Sequence, residues 1–179
     1  MGERIQYRLS KDQKSEIAQN LIDILQKDVK ISELTRGFIY NWIRTGPEEK
    51  WKAFFDVWDI VLKNYLPTER PLLFRSCKTI SKKDKISSFT GRFECARKFG
   101  NDKDYLIICD TRIELEFDEK FNRPGNYVRT FYPLVDVLVK ARDNGGFGFH
   151  ESIFNYIGED EYIMRINLGN INKLKWIKK

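Results

Sequence analysis

The chain has 179 residues, with 32 Lys or Arg against 26 Asp or Glu, a formal charge of +6 and a pI near 9.1. That length suits one ordinary domain, or a small domain with an attached subdomain, able to bury a core without disulfides or metals. A single His and three scattered Cys (Cys77, Cys95, Cys109), with no Cys-x-x-Cys pair, exclude a two-histidine metal motif and argue against a zinc site or a disulfide framework, so no metal is expected.

From residue 10 to 66 the apolar period is helical. Ser10 is placed as an N-cap before Ile17, Leu21, Ile24 and Leu25. A second helix carries Leu34, Phe38 and Trp42 and stops at Thr45-Gly46-Pro47. Pro47 is expected to open a third helix, with Glu48 and Glu49 in its first turn and an apolar stripe from Trp51 to Tyr65. Spacing of three and four along that stripe points to core packing rather than to a base-stacking face.

After Pro67 the character changes. Short strands are expected at Pro71–Ser76 and Lys85–Phe89, then a helix through Cys95, Ala96 and Phe99, and a buried strand at Tyr105–Cys109. Arg112–Phe117 alternates like a half-exposed strand, and Asn122–Asn126 is a loop. Leu134–Ala141 fits helix or strand. A turn at Asp143–Gly146 and a late strand at Tyr162–Leu168 follow. The expectation is an α+β chain: a helical N-terminal subdomain, 1–66, and a mixed, β-rich C-terminal core, 67–179. With no apolar h-region at the N-terminus and no run long enough for a membrane span, a soluble cytoplasmic protein without membrane partners is expected. The positive excess favours acidic partners, such as nucleic acid, a nucleotide or an acidic antitoxin or target protein.

Three separated signals carry chemistry. Arg75 ends an apolar strand. Ser88-Phe89-Thr90 ends another, ahead of Ala96 and Phe99. Glu159-Asp160-Glu161 opens the run Tyr162-Ile163-Met164. In a strand, Glu159 and Glu161 share a face while Asp160 points away. Paired carboxylates beside an anomeric carbon are what glycosyl transfer uses, one for a developing cation and one for a proton.

In that order, Arg, Ser-x-Thr, Glu-x-Glu, the sequence resembles the arginine–serine–glutamate class of mono-ADP-ribosyltransferases. In particular it is similar to the Mod-type enzymes of T-even phages and related bacterial toxins, over roughly residues 50 to 168, best in Ile86–Phe99. The resemblance implies a mainly antiparallel β-sandwich of ADP-ribosyltransferase type behind the helical segment, with NAD as substrate. It implies that Arg75 holds the NAD phosphates, with Ser76, Ser88 and Thr90 also on the nucleotide side. Ser76 stands where many relatives have Gly, and Thr90 where they have a third Ser. Ser88 would fix the rotamer of the catalytic Glu161, which stabilises charge as nicotinamide leaves. Glu159 would orient and deprotonate the acceptor. The segment Gly145–Gly158, with Phe154 and Tyr156, would recognise that acceptor by cation–π contact or stacking, and at least one of its rings should anchor the loop instead. Phe121 and Tyr127 are candidates to stack on nicotinamide, and His150 is not required.

The acceptor implied is macromolecular, with arginine of a host protein slightly ahead of an RNA or DNA base. The setting implied is that of a toxin, defence protein or phage effector with an antitoxin or inhibitory partner. The alternatives are a nucleic-acid-binding module, resting on the charge and the tail Lys173–Lys179, and an inactive relative used for protein contacts.

Overall fold

The computed structural model describes residues 7–46, 50–78, 84–101, 104–112, 131–167 and 173–175. Three helices come first: α1 (Lys11–Gln26), α2 (Glu33–Arg44) and α3 (Lys52–Asn64). Ser10 caps α1 in a reciprocal box. Its Oγ accepts from the Gln13 amide at 3.1 Å, and the Gln13 side chain accepts from the Ser10 amide at 2.9 Å. Ser32 caps α2 through the Thr35 amide. α3 has no such cap and starts at Lys52, not at Pro47 as the proline rule suggested. Lys50 and Trp51 are non-helical, with Trp51 extended at φ −94° and ψ 157° in the N-cap position and its carbonyl accepting from the Phe54 amide at 3.0 Å; Pro47–Glu49 lie outside the described residues.

The β part follows as β1 (Leu72–Cys77), β2 (Asp84–Thr90), α4 (Phe93–Phe99), β3 (Tyr105–Asp110), β4 (Phe131–Pro133) and α5 (Leu134–Asp143). Two 3₁₀ segments, Gly145–Gly148 and Glu151–Glu159, lead into β5 (Glu161–Asn167), and β6 (Lys173–Lys175) ends the described chain. The ambiguous stretch Leu134–Ala141 is thus helix. Residues 113–117, the loop Asn122–Asn126, and Phe121 and Tyr127 lie outside the described residues, as do 176–179 of the basic tail.

The described strands form one antiparallel sheet in the order β4-β5-β2-β1-β3-β6, where a sandwich was expected. β2 and β5 pair along their whole length, from Asp84↔Asn167 to Thr90↔Glu161, and β1 pairs fully with β3. β1 and β2 meet at a single pair, Phe74↔Thr90, so the sheet splits into two halves beside that point. Alternation sends Tyr132 of β4 and Ile163 of β5 to one face and Phe131 and Met164 to the other. On the first face they join the buried residues of α1–α3, α5 and Ile153 in one cluster, continuous across residue 66. On the second they pack with Leu73, Phe89, Ile107 and Cys109. The Tyr132 hydroxyl, fully buried, donates to the Leu21 carbonyl at 2.6 Å and ties α1 to β4. No described helix is long and apolar enough to cross a membrane.

Candidate active site

The site lies where the sheet splits. Arg75 of β1 reaches across the gap, and its Nη1 donates to the Ser88 carbonyl of β2 at 2.5 Å. Its Nε is buried and has no partner among the described residues. Burial pulls the guanidinium below its ordinary value, opposed by the charges of Cys77 and Glu161. A buried, unsatisfied N–H costs about 1–3 kcal/mol, and a fixed guanidinium with a donor left over is a receptor for an anion.

From the same residue of β2, the Ser88 hydroxyl donates to Glu161 Oε1 of β5 at 2.5 Å. The register explains the contact. Thr90 stands opposite Glu161 and Ser88 opposite Ile163, so the bond runs diagonally across one face. A second donor meets the same oxygen: the indole N–H of Trp42, from α2, at 3.1 Å. Lys50 covers that indole, its ammonium 3.8 Å from the ring centroid and bonded to the Trp42 carbonyl. Burial brings the Lys50 ammonium down to about 8, with the charge of Glu161 opposing.

Glu159 and Glu161 line one cleft, but not by strand alternation as expected. Glu159 ends the 3₁₀ segment, Asp160 is left-handed at φ 51° and ψ 54°, and Glu161 begins β5. The end of β2 clamps this bend. Thr90 Oγ1 donates to the Glu159 carbonyl at 2.7 Å and accepts from the Arg92 amide, and Gly91 N–H donates to the Asp160 carbonyl at 3.1 Å. From α4, Cys95 donates to the Gly158 carbonyl at 3.3 Å. The Glu159 carboxyl is raised above its ordinary value, first by burial, then by the charge of Glu161, with Lys98 opposing.

The cleft has a volume of about 500 Å³. One wall is α2 and the turn after it, Trp42 to Gly46 with Lys50; β1 and β2 contribute Phe74–Ser76 and Ser88–Thr90; Ala96, Phe99, Tyr156 and the two glutamates complete it. A second cleft of about 440 Å³, lined by Arg44, Ser152, Ile153, Asn155, Tyr156 and Glu159, adjoins it. Arg44, Tyr156 and Glu159 line both. A larger cavity of about 630 Å³ beside Tyr7 and Trp51 lies elsewhere, and its charged groups include an internal Lys14–Asp56 pair at 2.9 Å.

The structure therefore brings together Arg75, Ser76, Ser88, Thr90, Glu159, Glu161 and Tyr156. Two hydroxyls have structural partners there: Ser76 Oγ donates to the Ala96 carbonyl at 2.7 Å, and Thr90 holds the Glu159 bend. Phe154 is not among the residues lining either cleft. It packs against Phe149, centroids 6.3 Å apart, and against the helical core. His150 caps the second 3₁₀ segment, accepting at Nδ1 from the Ser152 amide. No cluster of metal-ligating side chains occurs among the described residues. The sequence carries no signal for Trp42 or Lys50 in the site, since a helical Trp stripe reads as core and nothing local marks one N–H as facing a carboxylate. No family model, curated protein or solved structure matches the chain.

Proposed function

We propose that the protein is an NAD-dependent mono-ADP-ribosyltransferase acting on a macromolecular acceptor. The observation that carries this reading is the chain Arg75–Ser88–Glu161, in which an anion-binding guanidinium and an oriented carboxylate hang from one β2 residue. Arg75 binds the NAD diphosphate. Glu161 accepts from the nicotinamide-ribose hydroxyl and stabilises the positive charge that grows at the anomeric carbon as its bond to nicotinamide breaks, the electron pair leaving with nicotinamide. The acceptor's lone pair then forms the new bond to that carbon, and its proton passes to Glu159. Support for the role of Glu159 comes from its place on both clefts: it borders the NAD side and the side from which an acceptor enters.

Arginine of a host protein is the acceptor this reading favours, because a guanidinium must lose a proton to attack. A nucleic-acid base is the second reading, favoured by the exposed Arg44 on the shared rim and by Arg92, Arg97 and Lys98 on and beside α4. Either fits a toxin, defence protein or phage effector held in check by a partner that blocks the cleft.

Incubation with labelled NAD and cell lysate, followed by protease or nuclease digestion, tests both. Nicotinamide release and protease-sensitive label are expected, and Glu161→Gln abolishes both. Nuclease-sensitive label overturns the arginine preference. Absence of nicotinamide release, or full activity in Glu161→Gln, overturns the enzyme reading.

A further inference from the structure

Trp42 has a dual character. It is 1% exposed and wedged among aromatic rings: Phe54 at 5.7 Å, Phe55 at 6.2 Å and Trp58 at 5.6 Å, at interplanar angles of 73°, 88° and 75°. Rings packed edge-on around an indole leave it no room to turn. Yet its polar edge meets the cleft, and its N–H donates to the same Glu161 oxygen that Ser88 holds.

Neighbouring Trp58 supplies an internal comparison. It sits on α3 in the same cluster, its Nε1 is buried, and it has no partner among the described residues. The core thus tolerates an indole N–H without an acceptor. Packing alone does not require the Trp42 N–H to find one 119 residues away.

We propose that Trp42 is a positioning residue for Glu161, so that the helical segment before residue 66 is part of the site and not an appendage to it. This rests on the reading of Glu161 as the catalytic carboxylate. A glutamate has three side-chain torsions, and one hydrogen bond from Ser88 leaves the carboxylate free to pivot about that contact. A second donor from a different element, on a ring that cannot turn, removes the pivot. Lys50 braces the ring from the cleft side through its carbonyl and its face. A carboxylate that must sit beside a developing cation gains from being held before the substrate arrives.

The test is Trp42→Phe, which keeps an aromatic ring in the cluster and deletes the N–H. Nicotinamide release should fall about tenfold or more in kcat, as for loss of a hydrogen bond to a charged group, with KM for NAD little changed. Phe55→Leu alters the same ring packing without touching the hydrogen bond and should retain kcat. A second measurement does not depend on turnover or on the variant's folding. Of the four Trp indole signals in a ¹⁵N–¹H spectrum, the one from Trp42 should move when Glu161 is changed to Gln. Wild-type kcat in Trp42→Phe, equal losses in Trp42→Phe and Phe55→Leu, or a Trp42 signal indifferent to Glu161→Gln would each overturn the proposal. No nicotinamide release from the wild type overturns the transferase reading and the positioning role with it, and the indole response tells that failure apart from a missing contact.

Discussion

Gly91 and Asp160 approach each other so closely that a Cβ on Gly91 would lie 2.3 Å from the Asp160 carboxylate and 3.3 Å from the Tyr162 ring. The Gly91 amide also donates to the Asp160 carbonyl. Asp160 is the left-handed hinge that aims Glu159 and Glu161 at one cleft, and the glycine after Ser88-Phe89-Thr90 makes room for the side chain of that hinge residue. Gly91→Ala should push the Asp160 carboxylate aside against the Tyr162 ring, destabilise by about 1–3 kcal/mol as overpacking does, and impair NAD cleavage. Asp160→Gly removes the obstructing carboxylate and suits the left-handed backbone. The double variant should recover most of the stability lost in Gly91→Ala. Strict additivity in denaturant unfolding would show that the two residues are not coupled.

Two aromatic residues of the same 3₁₀ segment should behave differently. Both rings pack against the helical core, but Tyr156 also lines both clefts, while Phe154 packs on Phe149. Tyr156→Ala should lower transfer to the natural acceptor about tenfold or more, as loss of a stacking or cation–π partner does, with NAD hydrolysis preserved. Phe154→Ala should cost stability, about 1–3 kcal/mol for a partly buried ring, and reduce both activities together. The comparison is a thermal melt beside the two assays. A melting loss in Tyr156→Ala with none in Phe154→Ala would invert the assignment.

The pH profile of transfer should report on Glu159. Burial and the charge of Glu161 raise its carboxyl, and Lys98 pulls it down. As the proposed base it must be ionised, so transfer is lost as pH falls through a value above the ordinary 4.5 for a glutamate. Lys98→Ala removes the opposing cation, and the acidic limb of transfer should move to higher pH while that of NAD hydrolysis stays in place. A limb that moves to lower pH, or limbs that move together, would contradict the role given to Glu159.

Lys50 makes a prediction about stability. Its folded value, about 8, lies below the ordinary 10.5 because burial disfavours the ammonium. Between these values the unfolded chain binds the extra proton, so the contribution of Lys50 to stability rises as pH increases from about 8 toward 10.5 and is lost as pH falls through 8. Cys77, whose thiol burial raises, titrates in the same window with the opposite sign, as do Tyr65 and Tyr162 above it. Lys50→Met leaves those groups in place. The stability difference between wild type and Lys50→Met, from urea unfolding, should therefore shift in favour of wild type across that window. A difference independent of pH would place the ammonium in water rather than over the Trp42 ring.

Local rules account for much of this molecule. The Ser10–Gln13 box, the apolar stripes of α1, α2 and α3, and the strands around Arg75, Ser88 and Ile107 follow from spacing and capping chemistry confined to a few neighbouring residues. The same holds for the selection of Arg75, Ser88, Glu159 and Glu161, whose side-chain types in that order suggest a reaction. Packing between distant segments decided the rest. Leu134–Ala141 is helix because one side of it completes the core formed by α1–α3. Tyr156 lines the clefts and Phe154 does not because of how the segment docks on α5, and both rings are equally aromatic in the sequence. Thr90 holds the Glu159 bend, and Glu159 and Glu161 share a cleft through a left-handed Asp160, because β2 ends against that turn. Trp42 and Lys50 join the site only once the end of α2 and the turn after it reach Glu161 at the start of β5. Hydrogen bonds between residues more than a hundred positions apart depend on how helices and sheet halves are seated, and no period or motif along the chain encodes that seating.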